Sequence, residues 1–209
     1  MNLFLITLIF LLWLIVIYGM HRYRIWPLFY IIGTVGLAIF LVYFNRQLFH
    51  SEILLARSVA ESIHWVCESF LRIPTQVFEE APGLLMVMVV VQKVGWTALE
   101  IGVESSGLLE MSVLISLLVF YPGWSVADRF WRIAVGLLAT WVSNLIRMML
   151  IVVMLHNLGK EVLLIAHTFL GKLIFFVLTI GIYWFLITKP SLKLIKKNIK
   201  NRSNPAETA

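Results

Sequence analysis

The stretch Ile133–Leu155 reads IAVGLLATWVSNLIRMMLIVVML, an apolar run that contains Asn144 and Arg147. It is long enough to cross the hydrocarbon core of a bilayer, which takes about 20 residues of helix. Strongly polar side chains inside such a span are costly and usually carry function. The whole chain is typical of a membrane protein, because 61% of its 209 residues are hydrophobic and its mean hydropathy is +0.93. Soluble domains contain roughly 45–50% apolar residues.

Further apolar runs on both sides of this stretch extend the pattern. We predict an all-α polytopic membrane protein with about five transmembrane helices: Leu3–Met20, Trp26–Phe44, Gly107–Tyr121, Ile133–Leu155 and Leu163–Thr188. The first run is an alternative candidate for a secretory signal peptide. It lacks a basic n-region and a small-residue cleavage site, and the basic segment His21–Arg24 follows it, which favours a retained helix.

Basic residues next to the spans predict the orientation in the plasma membrane. Lys and Arg concentrate in cytoplasmic connections, and here they occur after the first span, after the third span and in the tail: Arg22, Arg24, Arg129, Arg132, Lys189, Lys193, Lys196, Lys197, Lys200 and Arg202. Five alternating spans then put the N-terminus outside and the C-terminus in the cytoplasm. Because the net charge of +6 comes from these short clusters, we expect a lipid bilayer and no nucleic acid as partner.

The division of the chain follows from these spans. Residues 1–188 form one integral membrane domain, residues 45–104 are an acidic extracytoplasmic segment within it, and 189–209 are a basic cytoplasmic tail. In the segment, apolar residues at helical spacing predict an amphipathic helix over Ser51–Arg72, lying at the membrane interface or over the bundle. Leu84–Val91 and Trp96–Val103 flank a Gly-containing turn and predict a β-hairpin. A continuous helix through Val91 is the alternative.

Polar side chains at three spans are expected at a similar depth toward the outer face. Ser105 precedes the third span, Arg147 lies about two turns from the outer end of the fourth, and His167 about one turn inside the fifth. Serine is a nucleophile, histidine moves its proton, and arginine stabilises an oxyanion. Together they indicate acyl transfer, with Gly107 keeping the approach open. Glu110 and Lys172, each five residues further along, are expected to form an ion pair.

At these residues the chain resembles the exosortase/archaeosortase membrane transpeptidases, and within that family the Gram-positive exosortase G-type branch. The resemblance covers about Leu84 to Thr188 and rests on three motifs in register: Glu104-Ser105-Ser106-Gly107-Leu108, Asn144-Leu145-Ile146-Arg147 and His167-Thr168-Phe169-Leu170-Gly171. It implies that residues 105–188 are catalytic helices, facing the extracytoplasmic side, which cleave C-terminal sorting signals of exported surface proteins. It further implies a nucleophile at position 105, His167 as acid/base, Arg147 as oxyanion stabiliser, and supporting roles for Glu104, Ser106, Gly107 and Asn144.

The chain departs from the family at the nucleophile, because Ser105 stands where the family has cysteine. A serine hydroxyl is far less acidic than a thiol of pKa ~8.5, so a site adapted to a thiolate would lose its activity. Since Glu104, Ser106 and Gly107 are intact, we predict an inactive form with an introduced Cys→Ser substitution.

Other functions remain open from the sequence. They are a native intramembrane serine hydrolase or acyltransferase, and a non-catalytic membrane scaffold. Cys67 is an alternative nucleophile, although a buried or interfacial thiol fits its neighbours better. The histidines are dispersed, so no metal and no cofactor are expected.

Overall fold

The structure is a computed structural model that describes residues 3–81, 84–91, 95–101 and 103–203. It is an all-α polytopic membrane protein, as predicted, with one small sheet. Among the described residues, four helical segments are long and apolar enough to cross a membrane: Leu5–Arg22, Trp26–Phe49, Val126–Leu158 and Lys160–Lys193. They correspond to four of the five predicted spans.

The first two helices, α1 (Leu3–Arg22) and α2 (Trp26–Phe44), form an aromatic hairpin. The indole of Trp13 packs on Gly36, where a side chain would collide with it, and donates a hydrogen bond to the carbonyl of Ile32 at 3.1 Å. Phe10 meets Phe40 edge to face, with ring centroids 4.8 Å apart. Small and aromatic residues therefore hold these helices together, as is usual where apolar burial alone gives no driving force in lipid.

The third predicted span is shorter than expected. Helix α5 (Leu108–Phe120) has 13 residues, or about 20 Å, against the roughly 30 Å of the hydrocarbon core. A four-residue helix, α4 (Val103–Ser106), precedes it, and Gly107 separates the two with a φ of +79°. The backbone turns at Gly107 because only glycine adopts this conformation without strain, so the residues before Gly107 do not extend α5 to the length of a full span.

The predicted hairpin is present, as part of a three-stranded antiparallel sheet. Strands β1 (Thr75–Ala81), β2 (Leu84–Val91) and β3 (Gly95–Ile101) lie in the order β1-β2-β3. The alternative, a continuous helix through Val91, is wrong: Val87 lies opposite Leu99 in the ladder. The tip of the predicted turn, residues 92–94, lies outside the described residues.

The predicted amphipathic helix is also present, and it packs over the bundle. Helix α3 (Ser51–Val66) continues as a π-helical turn, Cys67–Leu71, and ends at Arg72 with a φ of +53°. The buried face of α3 packs against the sheet and against helix α6 (Val126–Leu158) in one hydrophobic core. The buried members of this core are Ala56, Val59, Ala60, Ile63, Cys67, Ile73, Leu99, Ile101, Met148, Ile151, Val152 and Leu155. The sheet and α3 are therefore fixed rigidly to one half of α6.

The last long helix contacts α6 at two places, near Ile151 through Gly171 and near Gly136 through Leu186. It comprises α7 (Gly171–Tyr183) with π-helical turns before and after it, Ile165–Leu170 and Trp184–Thr188. A second core forms where Leu114 and Leu118 of α5 meet Leu186. Gly136 of α6 makes this convergence possible, because a Cβ there would lie 2.5 Å from Leu114 Cδ2 and 2.9 Å from Leu186 Cδ1. The basic tail is helical as α8 (Lys189–Ser203).

Candidate active site in the membrane helices

Ser105 lies in α4, directly after the sheet, and its side chain is only 6% exposed. The amide Nδ2 of Asn144 donates a hydrogen bond of 2.6 Å to the Ser105 backbone carbonyl. Gly107 packs against the same amide, since a Cβ built on it would lie 3.6 Å from Asn144 Nδ2. The turn that carries Ser105 is therefore anchored to the middle of α6, well away from the ends of that helix.

The residues on either side of Ser105 in the chain, Glu104 and Ser106, belong to the same short helix, α4. Ser106 is fully buried, and its Oγ accepts a hydrogen bond of 3.2 Å from the backbone N–H of Leu108. This bond satisfies a free donor in the first turn of α5, as capping residues do, so Ser106 supports the helix start. Glu104 lies within α4, but its side chain lies outside the described residues.

Arg147 follows Asn144 by three residues, which puts both side chains on one face of α6. Its guanidinium is nearly buried, at 8% exposure, and its Cζ lies 4.8 Å from the ring centroid of Phe175 in α7. Its Nη2 also approaches the Met148 sulfur at 4.0 Å. An arginine over an aromatic face gains electrostatic attraction that is larger when water is excluded. Phe175 thus orients a cation that would otherwise be costly here.

His167 lies in the π-helical turn Ile165–Leu170 that precedes α7, and it is half-buried. Single π-helical turns inside helices occur frequently at functional sites, because they change the direction of one side chain. The adjacent Gly171 permits a close approach to α6, since a Cβ there would lie 3.1 Å from Ile151 Cδ1. The turn and the glycine together bring His167 beside the same part of α6 as Arg147.

The three predicted site residues line one cavity. Ser105, Arg147 and His167 come from α4, α6 and the turn before α7, and the cavity between them has a volume of about 360 Å³, within the range of small-molecule sites. Leu109 of α5 and Phe176 of α7 also line it and are exposed, so it opens between these two helices. Asn144, Ser106 and Gly107 lie behind its wall and support it.

The predicted ion pair between Glu110 and Lys172 is not formed. Both residues line the cavity, on α5 and α7 respectively, but neither belongs to the ion pairs of the described residues. Glu110 Oε2 is shielded from solvent and has no hydrogen-bond partner. Their equal spacing from Ser105 and His167 is consistent with their place in one cavity, but it carried no information on the distance between the two side chains.

Several lining residues had no signal in the sequence. Phe175 and Thr179 complete the α7 wall, and Ile151 closes the cavity toward the core of α3 and the sheet. They are ordinary residues of apolar spans, so only the rotation of α7 relative to α6 identifies them.

Cys67 lies outside the cavity, as a fully buried member of the core around α3. Burial, and after it the Glu68 carboxylate, raise the pKa of the Cys67 thiol to about 11. A thiol in this environment stays protonated at neutral pH and is a poor nucleophile. Within the described residues, no group of three His, Cys, Asp or Glu side chains could hold a metal ion.

The fold and the cavity define a class: a polytopic membrane protein in which a hydroxyl, a guanidinium and an imidazole converge within the helical bundle. Such a set can carry acyl transfer. Comparison with protein-family models, with curated proteins and with solved structures found no match for this chain.

Proposed function

We propose that this protein is a membrane-embedded sorting protease/transpeptidase of the exosortase/archaeosortase type. It cleaves C-terminal sorting signals of exported proteins at the outer face of the plasma membrane, and position 105 provides the nucleophile. The observation that carries this proposal is the shared cavity, in which residues of three separate motifs, Ser105, Arg147 and His167, meet. Motifs with unrelated structural roles would have no reason to converge.

Each side chain has a role in the proposed reaction. The nucleophile at position 105 attacks the carbonyl carbon of the scissile bond, and His167 takes its proton and returns it to the leaving amine. Arg147 stabilises the oxyanion of the tetrahedral intermediate. Asn144 positions the backbone of residue 105 through its hydrogen bond. An amine or water then takes the acyl group from the enzyme.

Serine at position 105 makes the present chain an inactive form of this enzyme. A histidine that can deprotonate a thiol of pKa ~8.5 is far less able to deprotonate an alcohol of much higher pKa. The second candidate function, a native serine hydrolase or acyltransferase, is favoured by one observation: Ser105 shares its cavity with a histidine that could act as its base.

The experiment that tests the proposal restores the thiol. Ser105→Cys is coexpressed with candidate C-terminally anchored surface proteins, and cleavage of the anchor and any trapped thioester are scored. Ser116→Cys is the matched control, because Ser116 is a fully buried serine of α5 outside the cavity. Arg147→Ala and His167→Ala are then added to Ser105→Cys, with thermal unfolding measured for every variant.

We expect cleavage by Ser105→Cys alone, and its loss with either alanine substitution. If the cysteine variant adds nothing while a fluorophosphonate labels Ser105 in the original chain, the native serine enzyme replaces the proposal. If neither variant reacts with substrate or reagent, the protein is a non-catalytic membrane scaffold.

A further inference from the structure

One carboxylate oxygen in the candidate active site has no hydrogen-bond partner. Glu110 lies on the first turn of α5 and lines the same cavity as Ser105, Arg147 and His167. Its Oε2 is shielded from solvent and accepts no hydrogen bond. Glu110 as a whole is half-buried, but a carboxylate oxygen that is shielded from solvent is normally hydrogen-bonded, because leaving it unpaired is unfavourable. A partner supplied by a ligand would remove this cost.

The cation in the same cavity does not satisfy Glu110. Lys172 lines the cavity from α7, but its side chain is exposed and makes no ion pair with Glu110. The cavity therefore holds a carboxylate from α5 and a separate ammonium from α7 that do not pair. Glu110 lies on the helix that directly follows the turn carrying residue 105, where the acyl group would form.

We propose that Glu110 is the binding site for a primary ammonium ion, and that this ion is the amine that accepts the acyl group. The inference rests on the proposed function and decides between its two acceptors, an amine and water. A carboxylate is the side chain that binds an ammonium by charge and hydrogen bonds together. It can also take the proton that such an amine must lose before it attacks.

The step balances as follows. The bound ammonium transfers one proton to Glu110, and its nitrogen then attacks the acyl carbon attached to residue 105. A C–N bond forms, and the bond from the acyl carbon to the nucleophile's sulfur or oxygen breaks. The second proton of the amine passes through His167 to the departing nucleophile, which restores the free enzyme. Glu110 finally releases its proton to solvent.

The binding site can be tested without catalysis. The full chain in lipid vesicles is treated with dicyclohexylcarbodiimide, which modifies carboxyls within membranes, and labelling of Glu110 is followed by mass spectrometry. Hexylamine and hexyltrimethylammonium are the probes, since only the first can donate hydrogen bonds. We expect hexylamine to reduce the total modification of Glu110, counted as the carbodiimide adduct together with any hexylamide formed from the activated carboxyl, about tenfold, the effect of one hydrogen bond to a charged group. The trimethyl compound should have little effect. The exposed Glu161 is the control carboxyl.

Lys172 provides the control for a purely structural role. If Glu110 and Lys172 are permanent partners, Glu110→Gln and Lys172→Met lower the unfolding midpoint equally, and the double variant has the same midpoint as either single variant. Hexylamine then leaves the labelling of Glu110 unchanged. That result overturns the proposal. We expect instead that hexylamine still protects Glu110 in Lys172→Met.

The acceptor role is tested in the active Ser105→Cys enzyme by the ratio of amide to acid product as hexylamine is varied. We expect Glu110→Gln to need about tenfold more amine for the same ratio. Thioester formation with an unchanged ratio in Glu110→Gln overturns the acceptor site and leaves the proposed function standing. Protection by hexylamine without any thioester supports the ammonium site and overturns the proposed function.

Discussion

The side-chain amide of Asn144 donates a hydrogen bond of 2.6 Å to the backbone carbonyl of Ser105, and this bond joins two elements 39 residues apart. Both groups are buried, so no solvent competes for the carbonyl. Because Arg147 lies three residues further along the same helix face, the bond also sets the position of Ser105 relative to the guanidinium. The geometry of the candidate active site therefore depends on one side chain that does not line the cavity.

We expect Asn144→Ala to lower the free energy of unfolding by about 1–3 kcal/mol, because the Ser105 carbonyl would be buried without a donor. Cleavage by the Ser105→Cys enzyme should fall with it. Chemical unfolding in detergent and the cleavage assay measure the two effects. The matched control is Asn157→Ala on the same helix, whose amide donates to the Val153 carbonyl at an exposed position. Equal effects of the two substitutions would contradict the prediction.

Gly107→Ala tests the turn between α4 and α5. With a φ of +79°, an alanine there is strained by about 1–2 kcal/mol, although its Cβ would meet Asn144 Nδ2 at an ordinary 3.6 Å. We expect destabilisation of that size and a displaced residue 105. Gly181→Ala is the control, because Gly181 lies within α7 with nothing near its Cβ. It should be neutral or stabilising, by up to about 1 kcal/mol. Thermal unfolding is measured for both variants. A higher unfolding temperature for Gly107→Ala than for Gly181→Ala would refute the prediction.

Phe175→Leu removes the aromatic face on which Arg147 lies. The lost interaction is worth about 0.5–2 kcal/mol. A guanidinium without this ring face should lower kcat of the Ser105→Cys enzyme more than it changes KM, since the proposed oxyanion role acts on the transition state. Phe176→Leu is the control: Phe176 also lines the cavity, but its ring is exposed and Arg147 stacks on Phe175. A similar loss of kcat in both variants would mean that the stacking has no role.

The buried thiol of Cys67 predicts a pH dependence of stability. Its pKa is raised to about 11 in the folded protein, against ~8.5 for an unperturbed thiol, so folding favours the protonated form. The resulting stability is complete below about pH 8.5 and is lost as pH rises toward 11. Unfolding midpoints between pH 8 and 11 should therefore fall more steeply in the original chain than in Cys67→Ala. Parallel pH profiles would show that the thiol does not contribute.

Much of the architecture could be predicted from the residues themselves. Long apolar runs predict helices because lipid offers no hydrogen bonds to an open backbone, and four of the five runs gave such helices. The β-hairpin was predicted from the β-branched and apolar residues on both sides of a glycine-containing turn. Strand β1 was missed, because Gln76, Glu79 and Glu80 make Thr75–Ala81 read as a polar loop, and its pairing with β2 is a long-range contact.

The sequence by itself determined which segments are apolar, which of them are helical, and which polar residues interrupt them, since these depend on composition and on spacing along one helix. It placed Ser105, Arg147 and His167 at similar depths for the same reason. Only the tertiary structure decided that Phe175 stacks on Arg147 and that Glu110 stays apart from Lys172. These features depend on the rotation and separation of neighbouring helices, which are set by close contacts such as those at Gly136 and Gly171. Such contacts join residues far apart in the chain, so no pattern within one segment contains them.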